Sequence, residues 1–139
     1  MSNSQLEAHF RNQWDRLWHT DETEDAFDEL LAEPFQMQIS SLPEPLERSA
    51  WLQFVKNWKK AFPDGRMDIE ELICQGDTIC CYWVSTGTHS QEYLGIPATN
   101  NQVRYFGVDI YRIKGNKAID CRAVPDVFSL MHQLGAIKN

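Results

Sequence analysis

Val103-Arg104-Tyr105-Phe106-Gly107-Val108-Asp109-Ile110-Tyr111-Arg112-Ile113 reads as a long β-strand, because β-branched and aromatic residues dominate it. Side chains alternate across a strand. One face therefore carries Val103, Tyr105, Asp109, Tyr111 and Ile113, with Gly107 between. The other carries Arg104, Phe106, Val108, Ile110 and Arg112. Both faces have an apolar middle, so both are expected to be covered. Asp109 stands out as an acid on a face that otherwise looks buried. A buried carboxylate needs a partner or a proton, which makes Asp109 the first candidate for chemistry.

The segments before this strand read mainly as helices. Leu6, Phe10, Trp14, Leu17 and Trp18 recur at spacings of three and four, an apolar stripe along a helix over 5–19. Asp21 and Glu24 have the spacing of a capping box for a second helix running to about Leu31, with Pro34 as its stop. Phe35, Met37 and Ile39 alternate with polar residues in a short strand. A third helix is expected over 47–62, with Trp51, Phe54, Val55, Trp58, Ala61 and Phe62 on one side and Pro63-Asp64-Gly65 ending it. Strands follow over 66–75 and 78–89, then a loop over 90–101. After the central strand come a Gly115-Asn116 turn, a strand over 117–124, and a last helix capped by Asp126 and stopped by Gly135. Helices first and mostly antiparallel strands second predict an α+β fold in a single domain over 1–139.

The 139 residues are enough for one core, and the hydrophobic content is 42%. The net charge of −7 gives no basic footprint for nucleic acid and disfavours an anionic membrane surface. No apolar run is long enough to span a bilayer. The Met-Ser-Asn-Ser-Gln-Leu-Glu start lacks the apolar stretch of a signal peptide, so a cytoplasmic location is expected. Cys74, Cys80, Cys81 and Cys121 all fall in expected strands without C-x-x-C spacing, and read as small buried hydrophobes.

Several pieces together resemble the SnoaL-like polyketide cyclases. They are Ala61-Phe62-Pro63-Asp64, Ile69-Glu70-Glu71-Leu72-Ile73 with Gly76-Asp77, and Thr86-Gly87-Thr88-His89. Gly95-Ile96-Pro97-Ala98-Thr99, Asp109-Ile110-Tyr111-Arg112-Ile113 and Gln133-Leu134-Gly135 complete the set. The resemblance covers about Phe10 to Gly135. It implies an NTF2-like, or cystatin-like, cone: a strongly curved, mostly antiparallel sheet wrapped around helices, with a deep internal pocket. It also implies a homodimer through the outer sheet face. The implied activity is ring closure by intramolecular aldol condensation, with no metal or organic cofactor. An acidic side chain removes a proton next to a carbonyl, and an apolar wall raises that acid's pKa towards the working pH.

The same resemblance marks a departure. The position of the usual cyclase Asp, on the last strand, is Ala123 here, and the position of the usual central-strand His is Asp109. Cys121, two residues before Ala123, offers no replacement acid. The expected catalytic residue is therefore Asp109. The residues expected to contact an apolar small-molecule substrate are Tyr105, Tyr111, His89, Trp83, Trp18, Cys121 and Ala123. An enzyme is the leading expectation. The alternatives are a non-catalytic small-ligand module and a dimeric protein-association domain on the same fold.

Overall fold

The computed structural model describes residues 1–137 and places the Val103–Ile113 stretch inside a six-stranded sheet. The chain runs α1 (Asn3–His19), α2 (Thr23–Leu30), β1 (Leu31–Ile39), β2 (Leu46–Glu47) and α3 (Arg48–Ala61). It continues through β3 (Arg66–Gln75), β4 (Thr78–Thr88), β5 (Gln102–Lys114), β6 (Lys117–Pro125) and α4 (Val127–Gln133). The sheet order is β2-β1-β6-β5-β4-β3. Every pairing is antiparallel except β1 with β6. The sheet is curved and does not close on itself, which is the α+β architecture expected from the sequence. Among the described residues no helix is long and apolar enough to cross a membrane.

The helices form where their apolar stripes meet the inner sheet face. Leu6, Phe10, Trp14, Leu17 and Trp18 of α1 are all buried, as are Trp51, Val55, Trp58 and Ala61 of α3. Burial of each large side chain contributes roughly 2 kcal/mol. The N-terminus of α1 is closed by a reciprocal Ser2–Gln5 capping box, which the sequence reading passed over. The box expected at Asp21 and Glu24 does not form. The helix begins at Thr23 after Glu22, which makes no side-chain cap. Thr20 organises that turn instead: its hydroxyl donates to the Arg16 carbonyl and accepts from the Glu22 N–H. The first long strand also starts earlier than expected, at Leu31, with an irregularity between Leu31 and Gln36 where it pairs with β6.

Alternation along β5 holds over the whole strand, although the pairing register with β6 shifts between Arg112 and Ile113. Val103, Tyr105, Asp109, Tyr111 and Ile113 are each at most 8% exposed. Their face looks into the cone. On the opposite face Ile110 is 39% exposed and Val124 of β6 is 59% exposed. The chain itself therefore covers only one of the two apolar faces.

Gly107 has a specific packing role. It lies directly opposite Trp83 on β4, and the Trp83 indole crosses the space where a side chain would stand. A Cβ at Gly107 would come within 2.0 Å of the Trp83 ring. Gly107→Ala should therefore expel the indole and destabilise the fold by about 1–3 kcal/mol. Urea denaturation, with tryptophan fluorescence reporting the indole's new surroundings, measures this.

Candidate active site

Alternation on β5 points Asp109 inward, and cross-strand pairing decides its neighbours. Cys81 of β4 and Ala123 of β6 are its direct partners. Asp109 lines a cavity of about 80 Å³. The cavity lies between the inner sheet face and the aromatic sides of α1 and α3. Trp14, Trp18, Trp51, Trp58, Trp83 and Tyr105 supply much of its wall. Leu130 of α4 closes one side, and Tyr93 and Leu94 come from the loop between β4 and β5.

Asp109 is 6% exposed, and its carboxyl receives two hydrogen bonds. Trp83 Nε1 donates to Oδ1 at 2.9 Å, and Tyr111 Oη donates to Oδ2 at 2.9 Å. Both donors are neutral. Burial pushes the carboxyl up to about 6, against the downward pull of the Trp83 and Tyr111 hydrogen bonds. Burial also raises the flanking Cys81 and Cys121 thiols, and the nearby Asp109 charge adds to the effect. Both cysteines therefore stay protonated at neutral pH. No Lys, Arg or His side chain lies on the cavity wall among the described residues. At pH 7 the site thus holds one mostly ionised carboxylate without a counter-charge, and each of its oxygens keeps a lone pair free. That arrangement suits proton abstraction from carbon. No group of three His, Cys, Asp or Glu side chains is placed to hold a metal ion among the described residues.

The other expected contact residues divide into two groups. Tyr105, Trp83, Trp18 and Ala123 share the cavity wall with Asp109. Tyr111, Cys121 and His89 do not lie on it. Tyr111 packs edge to face on Phe10, with centroids 5.1 Å apart, and reaches the site only through its hydroxyl. Cys121 is fully buried beside Tyr111, its partner across the β5–β6 pair. His89 is fully buried against Phe62, and its Nδ1 accepts from the Thr99 N–H at 3.2 Å, with Thr99 Oγ1 also 2.9 Å away. It ties down the loop that carries Tyr93 and Leu94. Asp126 caps α4 through the Ser129 N–H, as expected.

Trp14, Trp51 and Trp58, which the helical stripes of α1 and α3 turn inward, also line the cavity. Helical spacing marks an inward face, but it does not separate packed residues from cavity-lining ones. His19 links two elements. Its Nε2 accepts from the Met67 N–H and its Nδ1 contacts Asp15, so it joins the end of α1 to β3.

A family model described as SnoaL-like polyketide cyclase matches residues 8–134. No curated protein matches. AclR from Streptomyces galilaeus, provisionally assigned as a hydroxylase, superposes with a TM-score of 0.87 at 16% identity, over 99% of this chain and 100% of its own. A provisionally assigned SnoaL-like polyketide cyclase from Jannaschia sp. CCS1 gives a TM-score of 0.87 at 20% identity, over 97% and 94%. A provisionally assigned polyketide cyclase from Acidithiobacillus ferrooxidans gives 0.80 at 25% identity, over 99% and 100%. The structural likenesses carry the fold. The family match, which spans nearly the whole sequence, carries the conclusion that the chain belongs to the SnoaL-like polyketide cyclase family.

Proposed function

We propose that this protein is a cofactor-independent enzyme that performs acid–base chemistry on an apolar, carbonyl-bearing substrate, with Asp109 as the base. The observation that carries this reading is the Asp109 carboxyl: buried on a cavity wall, bonded only to the neutral donors Trp83 and Tyr111, and raised to about 6. A base with its pKa just below neutral is largely ionised at pH 7 and still basic enough to remove a proton next to a carbonyl. The enolate so formed would attack a second carbonyl of the same molecule or take a proton back at another carbon.

The resemblance to the cyclases assigns their base to the position of Ala123. Asp109 and Ala123 face each other directly across the β5–β6 pair. Cβ atoms of such partners lie about 5 Å apart. A carboxylate on β5 therefore reaches much of the space that one on β6 would use, and the small Ala123 side chain leaves that space open. A second reading rests on the same residue: with the β6 acid absent, the cavity would bind an apolar ligand without turning it over.

The outer sheet face supports a homodimer. Tyr82 and Phe106 stack there with centroids 5.8 Å apart, and Ile110 and Val124 extend the apolar patch beside them. Light scattering should give twice the chain mass for the wild type and a monomer for Val124→Glu. A monomeric wild type removes the dimer from the proposal.

Deuterium incorporation next to the carbonyl of an aryl β-keto ester in heavy water, followed by NMR, tests the catalytic reading. Asp109→Asn should slow it at least about a hundredfold. The wild-type rate should climb with pH through a midpoint near 6, where Asp109 ionises. A ligand that binds in the cavity but never exchanges would establish the non-catalytic reading.

Stability should carry the opposite sign. The folded-state pKa of Asp109 is raised from 3.8 to about 6, so the folded protein holds this proton more tightly than the unfolded chain. Stability from this group is full below pH 4 and is lost as pH rises past 6, by about 3 kcal/mol at most. Asp109→Asn should remove that loss, and the gap between the melting temperatures of the two proteins should close or reverse as pH falls from 7 to 4.

A further inference from the structure

The indoles around the cavity are not equivalent. Trp14 donates its N–H to the Met67 carbonyl at 2.7 Å, Trp58 to the Tyr105 hydroxyl at 3.0 Å, and Trp83 to Asp109 at 2.9 Å. Trp18 lines the same cavity at 6% exposure, and its buried Nε1 has no hydrogen-bond partner. Buried indole N–H groups normally find an acceptor, so an orphan on a cavity wall needs an explanation.

A second unfilled donor stands close by. The Trp18 and Trp58 rings meet edge to face with centroids 5.3 Å apart, and Trp58 Nε1 occupies a lone pair of the Tyr105 hydroxyl. Tyr105 also lines the cavity, and this bond is the one hydrogen bond that its hydroxyl makes among the described residues. Ser85, its partner across β4 and β5, is fully buried and close enough to the phenol to pull its pKa down, yet its hydroxyl makes no hydrogen bond of ordinary geometry, so the Tyr105 O–H has no well-formed acceptor. Burial raises the Tyr105 phenol, with Ser85 and Trp58 pulling the other way, so the phenol keeps its proton at neutral pH. An O–H that already accepts a hydrogen bond is the stronger donor for it.

We propose that Trp18 and Tyr105 form a donor corner that binds a neutral carbonyl oxygen of the occupant, a specificity site separate from Asp109. The assignment rests on reading the cavity as the ligand site. A carbonyl oxygen has two lone pairs and no proton, which suits donors that have no acceptor. A carboxylate suits the corner poorly, because the wall holds no cation and Asp109 shares it. Tyr105 and Asp109 are four residues apart on β5, roughly 13 Å between Cα atoms at about 3.3 Å per residue. The Trp83 indole lies across Gly107 between them. An occupant that touches both points is therefore flat and elongated, with its carbonyl remote from the carbon that faces Asp109.

Acetonaphthone and ethylnaphthalene are a matched pair of probes, of nearly equal shape but with a carbonyl in only one. Quenching of tryptophan fluorescence gives the affinity of each. Tyr105→Phe keeps its ring and removes one donor, and Trp18→Phe removes the indole donor while leaving a smaller aromatic ring. Each should lower the ketone-to-hydrocarbon affinity ratio about 3- to 10-fold, with ethylnaphthalene binding retained as the sign of an intact cavity. The infrared carbonyl band of bound acetonaphthone should move to higher frequency in both variants. Trp18→Phe also shrinks a wall side chain and Tyr105→Phe also takes the acceptor from Trp58, so the ethylnaphthalene affinity is the control for each. A ratio and a band unchanged from wild type in both variants overturn the corner. Absence of deuterium exchange, with the ratio still sensitive to Trp18 and Tyr105, counts against Asp109 as a base and leaves the corner standing.

Discussion

The molecule is arranged around a buried carboxylate, Asp109, that has no cation beside it among the described residues. Taking such a charge out of water costs several kcal/mol unless the protein replaces the lost hydrogen bonds. Here Trp83 and Tyr111 each fill one lone pair, one on each oxygen of Asp109. Neutral donors lower the cost of the charge without neutralising it. A salt bridge in their place would have held the pKa low and left a weak base. The two donors come from different directions. Trp83 reaches across β5 from β4, and Tyr111 folds back from two residues along the same strand.

That geometry reaches back into the backbone. Trp83 can lie over β5 only because its cross-strand partner is Gly107, where any side chain would occupy the indole's place. Tyr111 is held by Phe10 of α1, so the helix stripe that buries apolar surface also fixes a donor at the site. Packing and electrostatics use the same residues. The aromatic wall that stabilises the cone also buries Asp109 and raises its pKa, and stability is given up where the carboxylate ionises.

Much of this was legible in the sequence. Period-two alternation on Val103–Ile113 marks the inner face, and Asp109 is the one acid on it. The stripes of α1 and α3 also run as their spacing indicates. The misreadings lay where several local solutions satisfy the same residues. Asp21 and Glu24 have capping-box spacing, yet Thr20 holds that turn. His89 is expected to contact the substrate, yet Thr99 fixes it in a packed loop anchor away from the cavity wall. Tyr111 and Tyr105 share one face of one strand, but only Tyr105 lies on the cavity wall. Alternation states which side a residue faces and says nothing of how far along the cone it stands.

The sequence alone determined the element order, the inward face of the central strand and the presence of a lone acid among apolar neighbours. Local spacing carries those facts, because periodicity follows from the geometry of a single helix or strand. Tertiary structure decided what surrounds the acid. Ala123 opposite Asp109, the Trp83 N–H on its oxygen and the unpaired Trp18 N–H on the same wall come from segments distant in sequence. They meet because a curved sheet folds over two helices, and pairing register and curvature are properties of the assembled sheet.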